Sequence, residues 1–87
     1  MIGNSKNLAV ALQYAAPHAP KVTAIGRGEL ARRIVDVGAV SGVPISENPA
    51  LAVALSNVEI DQEIPENLYR AVAEVLAYIL RVSGTLK

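Results

Sequence analysis

A long amphipathic stretch, Ile64–Val82, constrains the fold of this chain more than any other segment. Pro65 suits the first position of a helix, because its fixed backbone angle is already helical and its missing N–H would be unpaired there. On one face, apolar residues recur at helical spacing, at Leu68, Val72, Val75, Leu76 and Ile79. Ser83-Gly84 then supplies a stop. The pattern predicts a helix of roughly 27 Å, whose apolar face a sheet or other helices must cover.

The composition indicates one small domain that apolar burial alone must stabilise. Of the 87 residues, 52% are hydrophobic, and there is no cysteine for a disulfide or a thiolate metal site. Eight basic residues balance eight acidic ones, so no net charge attracts nucleic acid or anionic lipid. No uncharged apolar run reaches the ~18–20 residues that span a bilayer. We expect a single domain, residues 1–87, in the cytoplasm and without membrane insertion.

The first part of the chain predicts a β-hairpin. Leu8–Tyr14 alternates large side chains with small or polar ones, as a strand with one packed face does. Lys21–Ile25 is interpreted as the second strand. Between them, Ala15–Pro20 contains two prolines and is expected to form a loop or extended turn.

The middle of the chain predicts a helix, a short strand and another helix. The first helix is expected from Glu29 to Ser41, with Gly42 at its end and a buried stripe formed by Leu30, Ile34 and Val37. Val43–Ser46 indicates a short strand, where Pro44 argues for a first or edge position. Asn48-Pro49 suits a helix start, and the residues available for burial in this second helix are Leu51, Val53 and Leu55.

These elements predict an α/β fold in the order β-β-α-β-α-α. The expected architecture is a small mixed sheet of three to four strands flanked by about three helices. The strands on either side of the first helix should run parallel, because such crossovers are right-handed.

No group of residues assembles an active site, so the chain is predicted not to be an enzyme. His18 is the only histidine, and its neighbours are Ala and Pro, so we interpret it as an exposed loop residue. Gly26-Arg27-Gly28 lacks the third glycine and the lysine of phosphate-binding fingerprints, which favours a tight strand-to-helix turn. One histidine and no cysteine leave no metal-ligand spacing, and we expect neither a metal nor a cofactor.

Five segments together resemble one known family. They are VALQY at Val10–Tyr14, APKV at Ala19–Val22, GVPI.EN at Gly42–Asn48, LAVAL at Leu51–Leu55, and EIPENLYRAVAEVLAYI at Glu63–Ile79. In this order they resemble the cytoplasmic C-terminal domain of the FlhB/YscU/SpaS proteins, the switch components of flagellar and injectisome type III export. Flagellar FlhB is the nearest branch, and the resemblance runs from about Ile2 to Val82.

The resemblance implies that the family's self-cleavage loop is altered in this chain. Family members carry an Asn-Pro-Thr-His loop ahead of the first main strand and are cut after the Asn, whose side-chain amide attacks its own carbonyl. That loop falls on Asn4-Ser5-Lys6-Asn7, so the Asn is kept and the other three residues are replaced. We expect self-cleavage to be absent. Asn48-Pro49 is no substitute, because it belongs at a helix start.

The resemblance also implies a hydrophobic docking patch, which in the family recognises export substrates of the rod and hook type. Its members match Ala19, Pro20, Ala73 and Leu76, and these four residues are called the docking patch below. Leu76 also lies on the buried stripe of the predicted final helix, so packing alone would favour an apolar residue there. Ala19 and Pro20 lie in a predicted loop, where apolar residues have less structural reason to occur.

Family members also carry a transmembrane domain and a linker helix that this sequence lacks. The resemblance therefore implies a free-standing FlhB-like protein, either a soluble paralogue or a shortened form. We expect a non-enzymatic component or accessory of the flagellar or type III export apparatus, peripheral to the export gate at the inner membrane. It would dock export substrates or other export proteins, and nothing in the sequence requires more than a monomer.

Two alternatives stay open. One is a self-processing export switch in which Asn4 still cyclises onto its own backbone. The other is a small RNA-binding α/β module, which size and fold class suggest. Zero net charge, few aromatic residues and the lack of a basic stripe argue against RNA and against nucleic acid in general.

Overall fold

The computed structural model describes the backbone of residues 1–14 and 19–82, with side chains up to Tyr78. Its strands are β1 (Ile2–Ser5), β2 (Leu8–Gln13), β3 (Lys21–Arg27) and β4 (Ile45–Glu47), and its helices are α1 (Glu29–Val40), α2 (Pro49–Leu55) and α3 (Glu66–Val82). This mixed sheet with three helices confirms the predicted fold class and adds β1 ahead of the predicted elements. The predictions for His18 and for Ser83-Gly84 fall outside the described residues.

The four strands form one sheet in the order β3-β2-β1-β4. The predicted hairpin is confirmed, because β2 and β3 pair antiparallel. β1 is antiparallel to β2 and parallel to β4, with Ile2 opposite Ala11 on one side and Ile45 on the other. It follows that β3 and β4 run parallel, as predicted, with two strands between them.

Each face of the sheet packs against its own helices. On the α2 and α3 face, the buried core comprises Val10, Leu12, Val22, Leu51, Leu55, Ile64 and Val72. On the α1 face, a smaller core comprises Ile2, Ala9 and Ala31. The successive residues of β2 thus alternate between two cores, as a strand with a two-residue period requires.

The predicted buried stripe of α3 is confirmed at Val72, which is fully buried. Other members of that stripe are half-buried against the same core, namely Leu68, Val75 and Leu76. The side chain of Ile79 lies outside the described part.

The predicted buried stripe of α1 is wrong at two positions. Leu30 is 51% exposed and Val37 is 59% exposed. The buried positions are Ala31 and Gly38, and Ile34 is half-buried. The helix lies close to the sheet through small residues, so the larger side chains flank the contact instead of forming it.

The helix starts and ends follow the local sequence. Gly42 has a φ of +75°, a conformation that glycine adopts without strain just beyond a helix end. Asn48 caps α2, because its side chain accepts a hydrogen bond from the Leu51 N–H at 3.1 Å, and Pro49 is the first helical residue. The burial predicted for Val53 is wrong, since its side chain points away from the sheet and is 56% exposed.

Across the stretches 1–14 and 19–82, no helix is both long enough and apolar enough to cross a bilayer.

Candidate functional site

The segment predicted to match the cleavage loop, Asn4–Asn7, lies at the end of β1 and in the turn that follows it. Asn4 and Ser5 are the last two residues of β1, and Lys6 and Asn7 form the turn into β2. The Asn4 carbonyl accepts a hydrogen bond from the Asn48 N–H at 2.9 Å. The backbone of Asn4 is therefore hydrogen-bonded on the side of the sheet where β4 lies.

The alternation of the β1–β2 ladder shows which way the Ser5 backbone points. Met1 and Leu12 exchange both backbone hydrogen bonds, with N···O distances of 2.8 and 3.2 Å. In an antiparallel ladder the hydrogen-bonded pairs recur at every second residue, which makes Ser5–Leu8 such a pair. The Ser5 N–H therefore points at β2. A proline at this position would have no N–H to contribute.

The peptide bond between Asn4 and Ser5 is held at both ends by this pairing. Its carbonyl oxygen accepts from Asn48 and its N–H faces Leu8. Attack by the Asn4 side-chain amide would have to turn this planar carbonyl carbon tetrahedral within a paired strand. The pairing therefore works against cyclisation.

The Asn4 side chain lines a small pocket between β1 and α1. Its Oδ1 atom is buried and has no hydrogen-bond partner among the residues that the structure describes. The pocket, of about 180 Å³, is also lined by Ser5, Lys6, Arg32 and Val35.

The first half of the docking patch lies at the entrance to β3. Ala19 is half-buried and Pro20 is buried. The Pro20 carbonyl accepts a hydrogen bond from the Ile64 N–H at 2.9 Å, and Lys21 forms an isolated antiparallel bridge with Glu63. This half of the patch is thereby tied to the segment that leads into α3.

The second half of the docking patch lies on α3. Ala73 is exposed and Leu76 is half-buried, and a spacing of three residues makes them neighbours on the helix surface. Leu76 packs against the core that contains Ile64, the residue that binds Pro20. Both halves of the patch therefore adjoin the same core, and Ala73 is the member most open to solvent.

The structure also contains an apolar groove beside α1 that the sequence does not reveal. It has a volume of about 440 Å³, and its lining includes Ala11, Thr23, Ala24, Leu30, Arg33 and Val37. We call it the α1 groove. The sequence prediction placed Leu30 and Val37 in the core, so it did not indicate a groove. The only signal for their flanking position is the small size of Ala31 and Gly38, the residues at the helix contact.

Within the described part of the chain, no three histidine, aspartate or glutamate side chains come together in a way that could hold a metal ion.

Comparison with known proteins gives close relatives. Residues 1–79 match the model of the FlhB HrpN YscU SpaS family. The chain is 49% identical over 82 residues to flagellar biosynthetic protein FlhB of Escherichia coli (strain K12). The matched region covers 91% of this chain and 22% of that protein. It is also 37% identical over 81 residues to the uncharacterized protein YlqH of Bacillus subtilis (strain 168). This match covers 91% of this chain and 87% of YlqH.

Solved structures show the same fold. The cytoplasmic domain of FlhB from Shewanella putrefaciens superposes with a TM-score of 0.88 at 37% identity, covering 97% of this chain and 69% of that one. The C-terminal domain of PscU superposes with a TM-score of 0.78 at 32% identity, covering 84% of this chain and 96% of that one.

Proposed function

Because the chain belongs to the FlhB HrpN YscU SpaS family, we propose that it is a non-enzymatic component or accessory of flagellar or type III protein export. It acts in the cytoplasm, next to the export gate, and docks export substrates of the rod and hook type. The observation that supports this most is the 49% identity to a flagellar FlhB over 91% of the chain. The chain spans 22% of the length of that relative, so the proposed role is that of this domain alone.

The docking patch is the proposed binding site. Ala73 and Leu76 offer a small apolar surface on α3, and we propose that half-buried Ala19, with Pro20 buried beside it, extends this surface at the start of β3. Pro20 and Leu76 are held by the core, so the patch is preorganised and little side-chain entropy is lost on binding. An apolar side chain of a substrate is the partner that such a surface fits.

The self-processing alternative has less support. Three of the four residues of the cleavage motif are replaced, and the Asn4–Ser5 peptide bond is paired on both sides in the sheet. We propose that this chain does not cut itself and that its role is to bind.

A titration of the purified chain with a purified hook or rod protein tests the proposed function. Ala73→Asp places a charge in the patch at an exposed position, so the fold should survive while affinity falls roughly tenfold or more. Ala39→Asp, at an exposed position of α1 on the opposite side of the sheet, is the matched control. Equal binding by both variants would show that the patch is not the site.

A further inference from the structure

β3 lies at one edge of the sheet, and its first part is already covered. The Val22 N–H donates to the Gln62 carbonyl at 3.0 Å, and the Asp61 N–H donates to the Val22 carbonyl at 2.6 Å. Together with the bond from Ile64 to Pro20, these contacts make residues 61–64 a short partial strand. Its pairing along β3 extends no further than Val22.

The second part of β3 leaves its outward backbone groups open. Because the backbone of Leu8 faces β1, that of Ala9 faces β3, and the ladder makes Ala9–Gly26 and Ala11–Ala24 hydrogen-bonded pairs. The N–H and C=O groups of Ile25 and Arg27 therefore point away from the sheet. Among the described residues, no backbone hydrogen bond reaches them on that side. A row of such groups is a template for another extended chain.

The α1 groove lies beside this open edge. Leu30 packs over β3, since a Cβ atom at Gly26 would lie 2.7 Å from the Leu30 Cγ. Arg32 and Val35, on the other flank of α1, line the pocket around Asn4. The flank that carries Leu30, Arg33 and Val37 is thus the one above β3. A strand added at this edge would direct every second side chain toward that flank.

We propose that the open edge of β3, Thr23–Arg27, docks an extended segment of a partner protein by strand addition, with alternate apolar side chains in the α1 groove and an acidic side chain beside Arg33. Main-chain hydrogen bonds supply affinity in this binding mode, and the pockets for alternate side chains supply specificity.

The charges at this surface decide between an acidic segment and a second copy of the chain. Arg27 ends the open edge, and Arg33 lines the groove. The open edge of a second copy has the sequence Thr-Ala-Ile-Gly-Arg and carries no carboxylate, so pairing two copies through β3 would leave Arg27 and Arg33 without an acidic partner from that strand. An acidic segment would instead gain from both.

The proposed surface is separate from the docking patch. α1 packs on the sheet face that carries Ala9, whereas α3 packs on the face that carries Val10. Binding at the open edge is therefore independent of whether the patch binds hook or rod proteins. A variant at the open edge should leave binding at the patch unchanged.

A displayed library of random short peptides, selected on the purified chain, supplies probes for this surface. We expect the selected peptides to alternate apolar with polar residues and to contain acidic ones. Their affinities are then measured with synthetic copies. Arg27→Pro removes the outward N–H without touching the β2 ladder, Arg27→Ala removes the charge alone, and Leu30→Glu alters the groove. Val53→Glu, at an exposed position of α2, is the control.

We expect Arg27→Pro and Leu30→Glu each to weaken binding roughly tenfold, Arg27→Ala to have a smaller effect, and Val53→Glu to have none. Hydrogen exchange of the Ile25 and Arg27 amides should slow in the complex, which a docking mode without strand pairing would not cause. Thermal unfolding of each variant separates lost binding from lost structure.

Three outcomes would overturn the proposal. One is a selection that yields no peptide sensitive to Arg27→Pro. Another is binding that leaves exchange at Ile25 and Arg27 unchanged. The third is concentration-dependent self-association with slowed exchange at these two amides, which would make a second copy the occupant.

Discussion

Gly38 of α1 packs directly against Ile2 of β1, so closely that a Cβ atom at Gly38 would overlap the Cδ1 atom of Ile2. The Val43 side chain lies 3.7 Å from the same point. Ala31, the other buried residue of α1, is also small. The distance between α1 and the sheet is therefore set by the lack of side-chain volume at these two positions.

Replacing Gly38 by Ala should destabilise the protein by about 1–2 kcal/mol, because overpacking outweighs the ~1 kcal/mol that Ala gains as a helix former. Ile2→Val removes the Cδ1 atom and by itself should cost about 1 kcal/mol. In the double variant the overlap is relieved. Its loss of stability should therefore be smaller than the sum of the losses in the two single variants. Urea denaturation of the four proteins measures this coupling, and strict additivity would contradict the close contact.

Replacing Asn48 by Ala should lower the free energy of unfolding by about 1 kcal/mol, through loss of the side-chain cap on α2. Asn48→Asp keeps an acceptor for the Leu51 N–H and should retain most of the stability. The backbone bond from Asn48 to Asn4 exists in both variants, so the difference isolates the cap. Thermal unfolding is the measurement, and equal melting temperatures for the two variants would count against this role.

Leu55→Ala and Val53→Ala should differ sharply although the two residues lie in the same turn of α2. Leu55 is fully buried, and its truncation should cost about 2–5 kcal/mol through lost burial and the cavity left behind. Val53 is exposed, and its truncation should change stability by less than ~0.5 kcal/mol. Denaturant midpoints give the comparison. Similar losses at both positions would mean that Val53 faces the core as Leu55 does.

The purified chain should keep its full-length mass on prolonged incubation, because the Asn4–Ser5 peptide bond is paired in the sheet and the residues predicted to match the cleavage motif differ from it at three positions. The triple variant Ser5→Pro, Lys6→Thr, Asn7→His rebuilds the motif and removes the N–H that faces Leu8. We expect it to lose residues 1–4 in part. Intact-mass spectrometry distinguishes the two, and spontaneous loss of residues 1–4 from the unaltered chain would support self-processing.

Periodicity and turn chemistry predicted most of the fold. The caps at Gly42 and Asn48 and the apolar spacing of α3 are local signals, and each is present in the structure. β1 carries no such signal, because Gly3 and Asn4 have low strand propensity and the segment is too short for alternation. Pairing on both sides makes it a strand, and a sequence pattern cannot show that pairing.

The predicted buried stripe of α1 was wrong at Leu30 and Val37 for a related reason. Assigning a buried stripe from the sequence favours large apolar side chains, which selected Leu30 and Val37. The true contact uses Ala31 and Gly38, where the approach of the sheet leaves no room for more. For the same reason, the sequence of α1 did not predict the groove. The docking patch was assigned from resemblance alone, and its residues remain a prediction.

The interior place of β1 has a consequence for how the chain folds. Its pairing with β2 is local, because a two-residue turn joins them, and β3 follows as the next hairpin. Its pairing with β4 joins Ile2 to Ile45, far along the chain, and must wait until α1 has crossed the sheet. We expect a three-strand meander to form first and β4 to add late. Until the ribosome has released Ile45, β1 is itself a sheet edge, and the nascent chain is most exposed to mispairing during that interval.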